Sequence, residues 1–341
     1  MNRIKIIVLT GVTVLCLVVA GGYFLYARGL DRAMAAPSVT GSAAPSLDLA
    51  AVLRGPHIVF RSTLLGTGYD QLAAVPLDAP GGPRAFSPLS CERVYATRTA
   101  GVCVSADRGV VQTYALLGLD ATMTKITNTP LAGLPSRARM SPDGTLVSTT
   151  TFVTGHSYAQ ASFSTSTIVR RDGRSLGNLE TFTTTLPDGQ QLVAADRNYW
   201  GVTFAPDDDT FYATAASNGT TWLVRGSLAK RTMQALRTDA ECPSLSPDGK
   251  HVAYKKRLGN RTPGVWRLAV LDLATGQETL LDETRSADDQ MEWLDDSHVL
   301  YGMPRGGSQA TTSDVWVAPI DGSRPPRVLI PGADSPAVVR M

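Results

Sequence analysis

Along most of the chain, short apolar stretches alternate with polar turns, and the same arrangement returns several times. Four segments share one pattern, an apolar stretch, a tight turn built on Asp, Pro or Gly, and then a short strand. They are RARMSPDGTLVSTT from Arg137, GVTFAPDDDTFYATA from Gly201, PSLSPDGKHVAYKK from Pro243 and MEWLDDSHVLYGM from Met291. The turn has a physical basis: Pro presets φ at the first corner, Asp bonds the backbone ahead of it, and Gly takes a positive φ at no steric cost. HIVFRS from His57 and RVYATR from Arg93 match the second half of the pattern. Each of these strands is followed by another that ends in a turn, as in TYALLGLD, WRLAVLDLATG and DVWVAPIDG, and then by a short outer strand such as ETLL or PRVLI.

Four strands per unit at a spacing of about 40–60 residues is the signature of propeller blades. The units begin near Leu89, Pro135, Tyr199, Cys242 and Asp289, and a further unit draws on both ends of the domain. The closing segment ADSPAVVR from Ala333 aligns with ADDQMEW from Ala287 and DAECPSL from Asp239, which lead into innermost strands. The last strand is therefore expected to pair with the strand starting at His57 and to close the ring, which removes an exposed sheet edge. The fold expected is an all-β, six-bladed β-propeller.

The first residues depart from this pattern. Ile6 to Tyr26 carries no charge and follows Arg3 and Lys5. As a helix rising about 1.5 Å per residue the run spans roughly 30 Å, enough for a bilayer core. The flanking cations orient the N-terminus to the cytoplasm and the rest outside. A cleaved signal peptide would have a shorter apolar run leading directly to a small-residue site, whereas Arg28, Asp31 and Arg32 intervene before Ala33-Met34-Ala35. Residues 33–50, rich in Ala, Ser and Pro, read as a flexible stalk. The expected organisation is a cytoplasmic tip and transmembrane anchor over 1–28, a stalk over 29–54 and the propeller over 55–341.

SPDGTLVST and SPDGKHVAY resemble the repeats of TolB-type propellers, which also form the N-terminal domain of prolyl oligopeptidases; the resemblance covers roughly residues 55–341. The arrangement as a whole is similar to membrane-anchored TolB-like proteins of high-GC Gram-positive bacteria. This resemblance implies a fold and a location, and the family has no shared catalytic motif to carry over. TolB has an extra N-terminal domain for which this chain has no room, so TolB's partners are not transferred.

Composition narrows the function. The net charge is +2 and no Lys/Arg cluster with interleaved aromatics occurs, which argues against a nucleic-acid partner. His57, His251 and His298 share one repeat position on separate blades and are not expected to converge on a metal; no cofactor motif is present. Gly155-His156-Ser157-Tyr158-Ala159 resembles a nucleophile elbow but lacks the strand–turn–helix context and the domain that would follow it. Asp207-Asp208-Asp209 occupies the repeat turn and reads as solvated. Cys91 and Cys103 flank an apparent hairpin. A disulfide is chemically allowed outside the membrane, yet a turn centred near Ala100 would set Cys103 opposite Thr97 and leave Cys91 past direct opposition, so the pairing stays open.

If strands run outward from the channel, the loop between second and third strands shares a face with the connections between blades. That face is expected to gather Lys255, Lys256, Arg257 and Arg261 with Asp282, Glu283, Arg285, Asp288, Asp289 and Gln290. Asp196, Arg197, Tyr199, Trp200 and Arg305 are placed similarly, with Glu292 near the channel mouth. Mixed charges and aromatics there suit a peptide or polar glycan. The function expected is a noncatalytic, membrane-anchored extracytoplasmic binding or scaffold protein with a protein, peptide or glycan partner. The alternative is an enzyme acting on cell-wall or sugar substrates through scattered loop residues, with Asp289 and Glu292 as acidic candidates.

Overall fold

In the computed structural model, residues 11–23, 46–153, 164–259 and 265–340 are described, and the chain divides into two units, Met1–Ala44 and Pro45–Met341. Within the first unit, residues 11–23 form a helix, α1. Among the described residues no helix is long and apolar enough to cross a membrane. The expected span from Ile6 to Tyr26 is thus not present as one membrane-crossing helix there; its residues 6–10 and 24–26 lie outside the described ones.

The second unit is a six-bladed propeller. Its described strands form six sheets, here numbered as blades from inner to outer strand. Blade 1 is β25(Ala333–Val339), β1(His57–Ser62), β2(Gln71–Pro76) and β3(Ala85–Ser90). Blade 2 is β4(Arg93–Ala96), β5(Ala100–Arg108), β6(Gln112–Asp120) and β7(Lys125–Leu131). Blade 3 is β8(Leu134–Met140), β9(Leu146–Val153), β10(Ser164–Arg171) and β11(Arg174–Asn178). Blade 4 is β13(Asn198–Phe204), β14(Thr210–Ser217), β15(Thr220–Ser227) and β16(Thr232–Thr238), with β12(Thr183–Thr185) added in parallel outside β16. Blade 5 is β17(Ala240–Leu245), β18(His251–Arg257), β19(Trp266–Asp272) and β20(Glu278–Leu280). Blade 6 is β21(Glu292–Asp295), β22(His298–Pro304), β23(Ser313–Pro319) and β24(Arg327–Ile330).

The innermost strands touch in a circuit, β25 to β4, β8, β13, β17, β21 and back to β25. Blade 1 is closed by antiparallel pairing of β25 with β1, Val339 opposite His57, as the alignment of the closing segment predicts. Six apolar clusters fill the gaps between neighbouring blades. One packs Leu146 and Val169 of blade 3 against Tyr199, Phe211 and Val224 of blade 4; another packs Val270 of blade 5 against Trp293 and Tyr301 of blade 6. Since both faces of inner and middle strands lie against other blades, β13 is buried along its whole length, whereas the outer β7 is mostly exposed.

Three inner strands carry a register shift where they meet the channel, at Gly201, Cys242 and Ser335, all at positive φ. Such bulges re-aim side chains and let neighbouring strands approach. At Gly201 the approach is close enough that a Cβ would stand 2.6 Å from the Cα of Cys242. Cys242 itself is a buried free thiol.

Two sequence readings change in detail. Leu49–Leu53, which fell in the expected stalk, is a short helix, α2, capped by the Asp48 carboxylate, with Val52 buried against the blade 1–blade 2 core. Cys103 stands opposite Val94 instead of Thr97, because the β4–β5 turn is tighter and earlier than Ala100, with Ala96 opposite Gly101. That register brings the Cα atoms of Cys91 and Cys103 to 5.4 Å, and the two form a disulfide.

Candidate functional site

The strand pairing defines two ends of the channel. Ala240 at the start of β17 stands opposite Lys256 at the end of β18, so connections between blades and loops between second and third strands share one end, the connection face. The ends of the inner strands and the SPDG-type turns form the other, the turn face.

At the connection face the ring places opposite charges together. Buried Lys255 ion-pairs with Asp288, lies 3.9 Å from the Glu241 carboxylate and sits 4.5 Å over the Trp266 ring. Arg257 reaches Glu241 at 3.2 Å. Asp289 accepts hydrogen bonds from the backbone N–H groups of Gln290 (2.9 Å) and Gly302 (2.8 Å) and faces Arg137 at 3.9 Å. The amide of Gln290 donates to the carbonyls of Val202 and Pro243, tying blade 6 to blades 4 and 5. From blades 1 and 2, Arg61 joins Asp70 and Asp334, and Arg108 joins Asp70 and Glu92. Arg93 lies among them, donating to the carbonyls of Ser136 (3.1 Å) and Glu92 (3.1 Å), and burial together with Arg137 lowers its pKa although Asp334 and Asp289 act the other way. Six cations (Arg61, Arg93, Arg108, Arg137, Lys255, Arg257) thus meet six carboxylates (Asp70, Glu92, Glu241, Asp288, Asp289, Asp334).

Other residues expected at this mouth go elsewhere. Successive side chains of a strand point to opposite sides, so Lys256 leaves Lys255 and pairs with Glu278, beside Tyr254 and Arg237 of the blade 4–blade 5 seam. Arg305 pairs with Asp314 at 2.7 Å. Arg197 donates to the carbonyls of Ala194 and Glu180. Tyr199 is buried in the blade 3–blade 4 core, its hydroxyl 2.8 Å from that of Thr184, and burial raises its pKa. Trp200, next to it on β13, is also buried. Glu283 and Arg285 pair with each other, Glu283 also accepting from the Tyr301 hydroxyl. Arg261 and the Gly155–Ala159 segment lie outside the described residues.

The turn face holds a cavity of about 350 Å³ on the axis, lined by the ends of all six inner strands. Its floor is a buried ion pair between Arg139 of β8 and Glu292 of β21, with Arg139 also donating to the Met291 carbonyl at 2.7 Å. Blades 3 and 6 are opposite each other in the ring, so this pair spans the channel, as Arg137 and Asp289 do one layer deeper. Tyr95 lies under the Arg139 guanidinium, 4.7 Å from its ring centre, and its pKa is raised by burial and by Glu292. Burial holds the Glu292 carboxyl above its ordinary range although Arg139 and Arg340 face it. The walls add Met140, Phe204, Trp293 and three turn prolines, Pro142, Pro206 and Pro247; Arg98 and Arg340 stand at the rim.

Of the residues expected from sequence, only Glu292 lines this cavity. Arg139, Arg98, Arg340 and Tyr95 were missed. A signal for the floor existed: Arg139 and Glu292 are opposite charges at otherwise apolar inner-strand positions, three blades apart in a six-blade ring. The three described histidines are dispersed. His57 Nδ1 lies 2.7 Å from the Gly55 carbonyl, His251 lies 3.8 Å from Asp272, and His298 lies 3.0 Å from Asp295. Among the described residues no group of three or more His, Cys, Asp or Glu is arranged to hold a metal. Asp207 closes its own turn, accepting from the N–H groups of Asp209 and Thr210.

Comparison with known proteins gives the fold. TolB from Acinetobacter baumannii superposes with a TM-score of 0.60 at 17% identity, over 85% of this chain and 68% of TolB. A chain of a nidogen/laminin complex superposes with a TM-score of 0.52 at 11% identity, over 83% and 98%. No family model matches the sequence, and no curated protein matches it. The chain has the TolB-like six-bladed propeller fold.

Proposed function

We propose that this chain is a noncatalytic binding protein that takes its partner, a protein, peptide or glycan, at the turn face of the propeller. The observation that carries the reading is the asymmetry of the channel. The turn face offers a cavity to which every blade contributes, on a scale at the small end of ligand sites, whereas at the connection face the described charges are largely engaged with one another. The charge-free run from Ile6 to Tyr26 behind Arg3 and Lys5 supports a further part of the reading, attachment to a membrane with the propeller on the extracytoplasmic side.

Crosslinking on intact cells tests the site. A stoichiometric partner is expected to be captured by the wild type and by Arg305→Ala, and lost with Arg98→Glu. Capture that survives Arg98→Glu and Arg340→Glu but fails with Arg305→Ala would move the site to the other face. Membrane fractionation of the chain, beside a version starting at Pro45, tests attachment; equal partition of the two would remove it.

One observation favours a second reading. Glu292 is a buried carboxyl with a raised pKa on a cavity floor, a property of general acids. Glycoside hydrolysis generally needs a second carboxyl, and Glu292 is the only one among the described residues lining this cavity. Turnover of wall-glycan fragments that disappears in Glu292→Gln would establish the enzyme.

A further inference from the structure

We infer that the turn-face cavity is a carboxylate site, with Arg98 and Arg340 as the residues that hold the anion. The inference rests on the binding reading above and names its ligand chemistry. The four charged side chains in the lining are Arg98, Arg139, Arg340 and Glu292. Arg139 and Glu292 neutralise each other on the floor, where Arg139 also donates to the Met291 carbonyl. Two cations remain at the rim. Arg98 projects from the β4–β5 turn, is exposed, and has no ion pair or hydrogen bond among the described residues. Arg340 follows β25, is exposed, and uses one terminal nitrogen on the Trp293 carbonyl at 2.5 Å. β25 and β4 are adjacent inner strands, so both guanidinium groups rise from one side of the mouth.

A guanidinium presents a planar fork that matches a carboxylate bidentately, and the bond is charge-assisted. The surroundings suit a carboxylate with an apolar neighbour: Glu292 is already paired with Arg139, while Phe204, Trp293 and the turn prolines offer apolar walls to whatever carries the carboxylate. Such a group can come from a peptide chain end or from a small sugar acid, and the chemistry at the rim is the same for both.

Isothermal titration calorimetry with the purified chain tests this, using N-acetyl-trialanine against its C-terminal amide and glucuronate against glucose. At least one acid should bind, with its neutral counterpart weaker by about tenfold or more, the worth of one charge-assisted hydrogen bond. The Arg98→Gln/Arg340→Gln double variant should lose the acid by at least a similar factor, and Arg305→Gln on the other face should not. Preference for N-acetyl-trialanine assigns a chain end, and preference for glucuronate assigns a sugar acid. The inference is overturned if neither acid binds at millimolar concentration, if the neutral forms bind equally, if the folded double variant binds like the wild type, or if inorganic phosphate binds more tightly than both acids. Partner capture that depends on Arg98 while both acids fail would overturn the carboxylate and leave the binding reading standing. Failure of both would remove both.

Discussion

The two ends of the channel are built from the same six inner strands and differ in how their charges are placed. At the connection face the described cations named above lie among carboxylates of their own, neighbouring or opposite blades, and Gln290 adds hydrogen bonds across three blades. At the turn face one buried pair, Arg139 with Glu292, forms a floor, and two rim arginines stand above it, Arg98 with no ion pair among the described residues and Arg340 facing the Glu292 that Arg139 already holds. The buried members of the charge-balanced end, Lys255, Glu241 and Asp70, are compensated only while the blades stay in place, whereas their partners Asp288 and Arg108 are largely exposed. An end with uncompensated rim charge leaves electrostatic attraction free for something outside the protein. Polarity alone therefore does not mark a binding face; what matters is whether the charges are already satisfied.

The cavity floor should be the most sensitive point of the channel. Arg139→Ala or Glu292→Ala leaves an uncompensated buried charge and should destabilise the propeller by roughly 3–5 kcal/mol in denaturant unfolding, whereas an Arg139→Met/Glu292→Leu double variant should recover most of that loss. A double variant no more stable than the single ones would show that the pair does more than neutralise itself. Next in size is the disulfide that fastens the start of blade 2. Cys91→Ser/Cys103→Ser should cost roughly 2–4 kcal/mol by the same measurement, the usual worth of a short bridged loop.

The two ends should also titrate with opposite sign. Burial works to raise the Asp288 pKa, but Lys255 and Arg137 outweigh it and hold the group below 3.8. Its contribution is present above that value and is lost as pH falls through the folded pKa. Glu292 is held above 4.5, mainly by burial, so its contribution is fullest below that value and declines as pH rises toward the folded pKa. In Tm measured against pH, Glu292→Gln should flatten the decline above 4.5, and Asp288→Asn should flatten the acid limb below 3.8. Curves parallel to the wild type in both variants would sink the contrast. The smallest effect belongs to the rim of blade 6: Arg305→Ala breaks a partly exposed pair with Asp314 and should change stability by no more than about 1 kcal/mol.

Much of the fold was legible because it is written locally and repeatedly. The SPDG turns at Ser141–Gly144 and Ser246–Gly249 require Pro, Asp and Gly at fixed offsets, and each is followed by a strand of β-branched and aromatic residues that is buried along its middle. The outer strand β7 and the added strand β12 carried little signal, since exposed edge positions tolerate Thr, Asn and Lys. The site was much less legible. Lys255 and Asp288 were placed near each other, but nothing in their spacing said that they satisfy each other. Tyr199 appeared as a loop aromatic and proved to be core, because the long connection before it folds back and covers it through Thr184.

The repeating unit, the number of blades and the strand that closes the ring can be read from local pattern, because turn chemistry and apolar alternation act over a few residues. Which end carries charges already paired and which carries a cavity became visible only in the folded ring. That outcome depends on Arg139 meeting Glu292 and Arg137 meeting Asp289 across the ring, contacts between blades far apart in sequence. Side-chain charge is local, but its neutralisation is set by what the closed ring brings opposite.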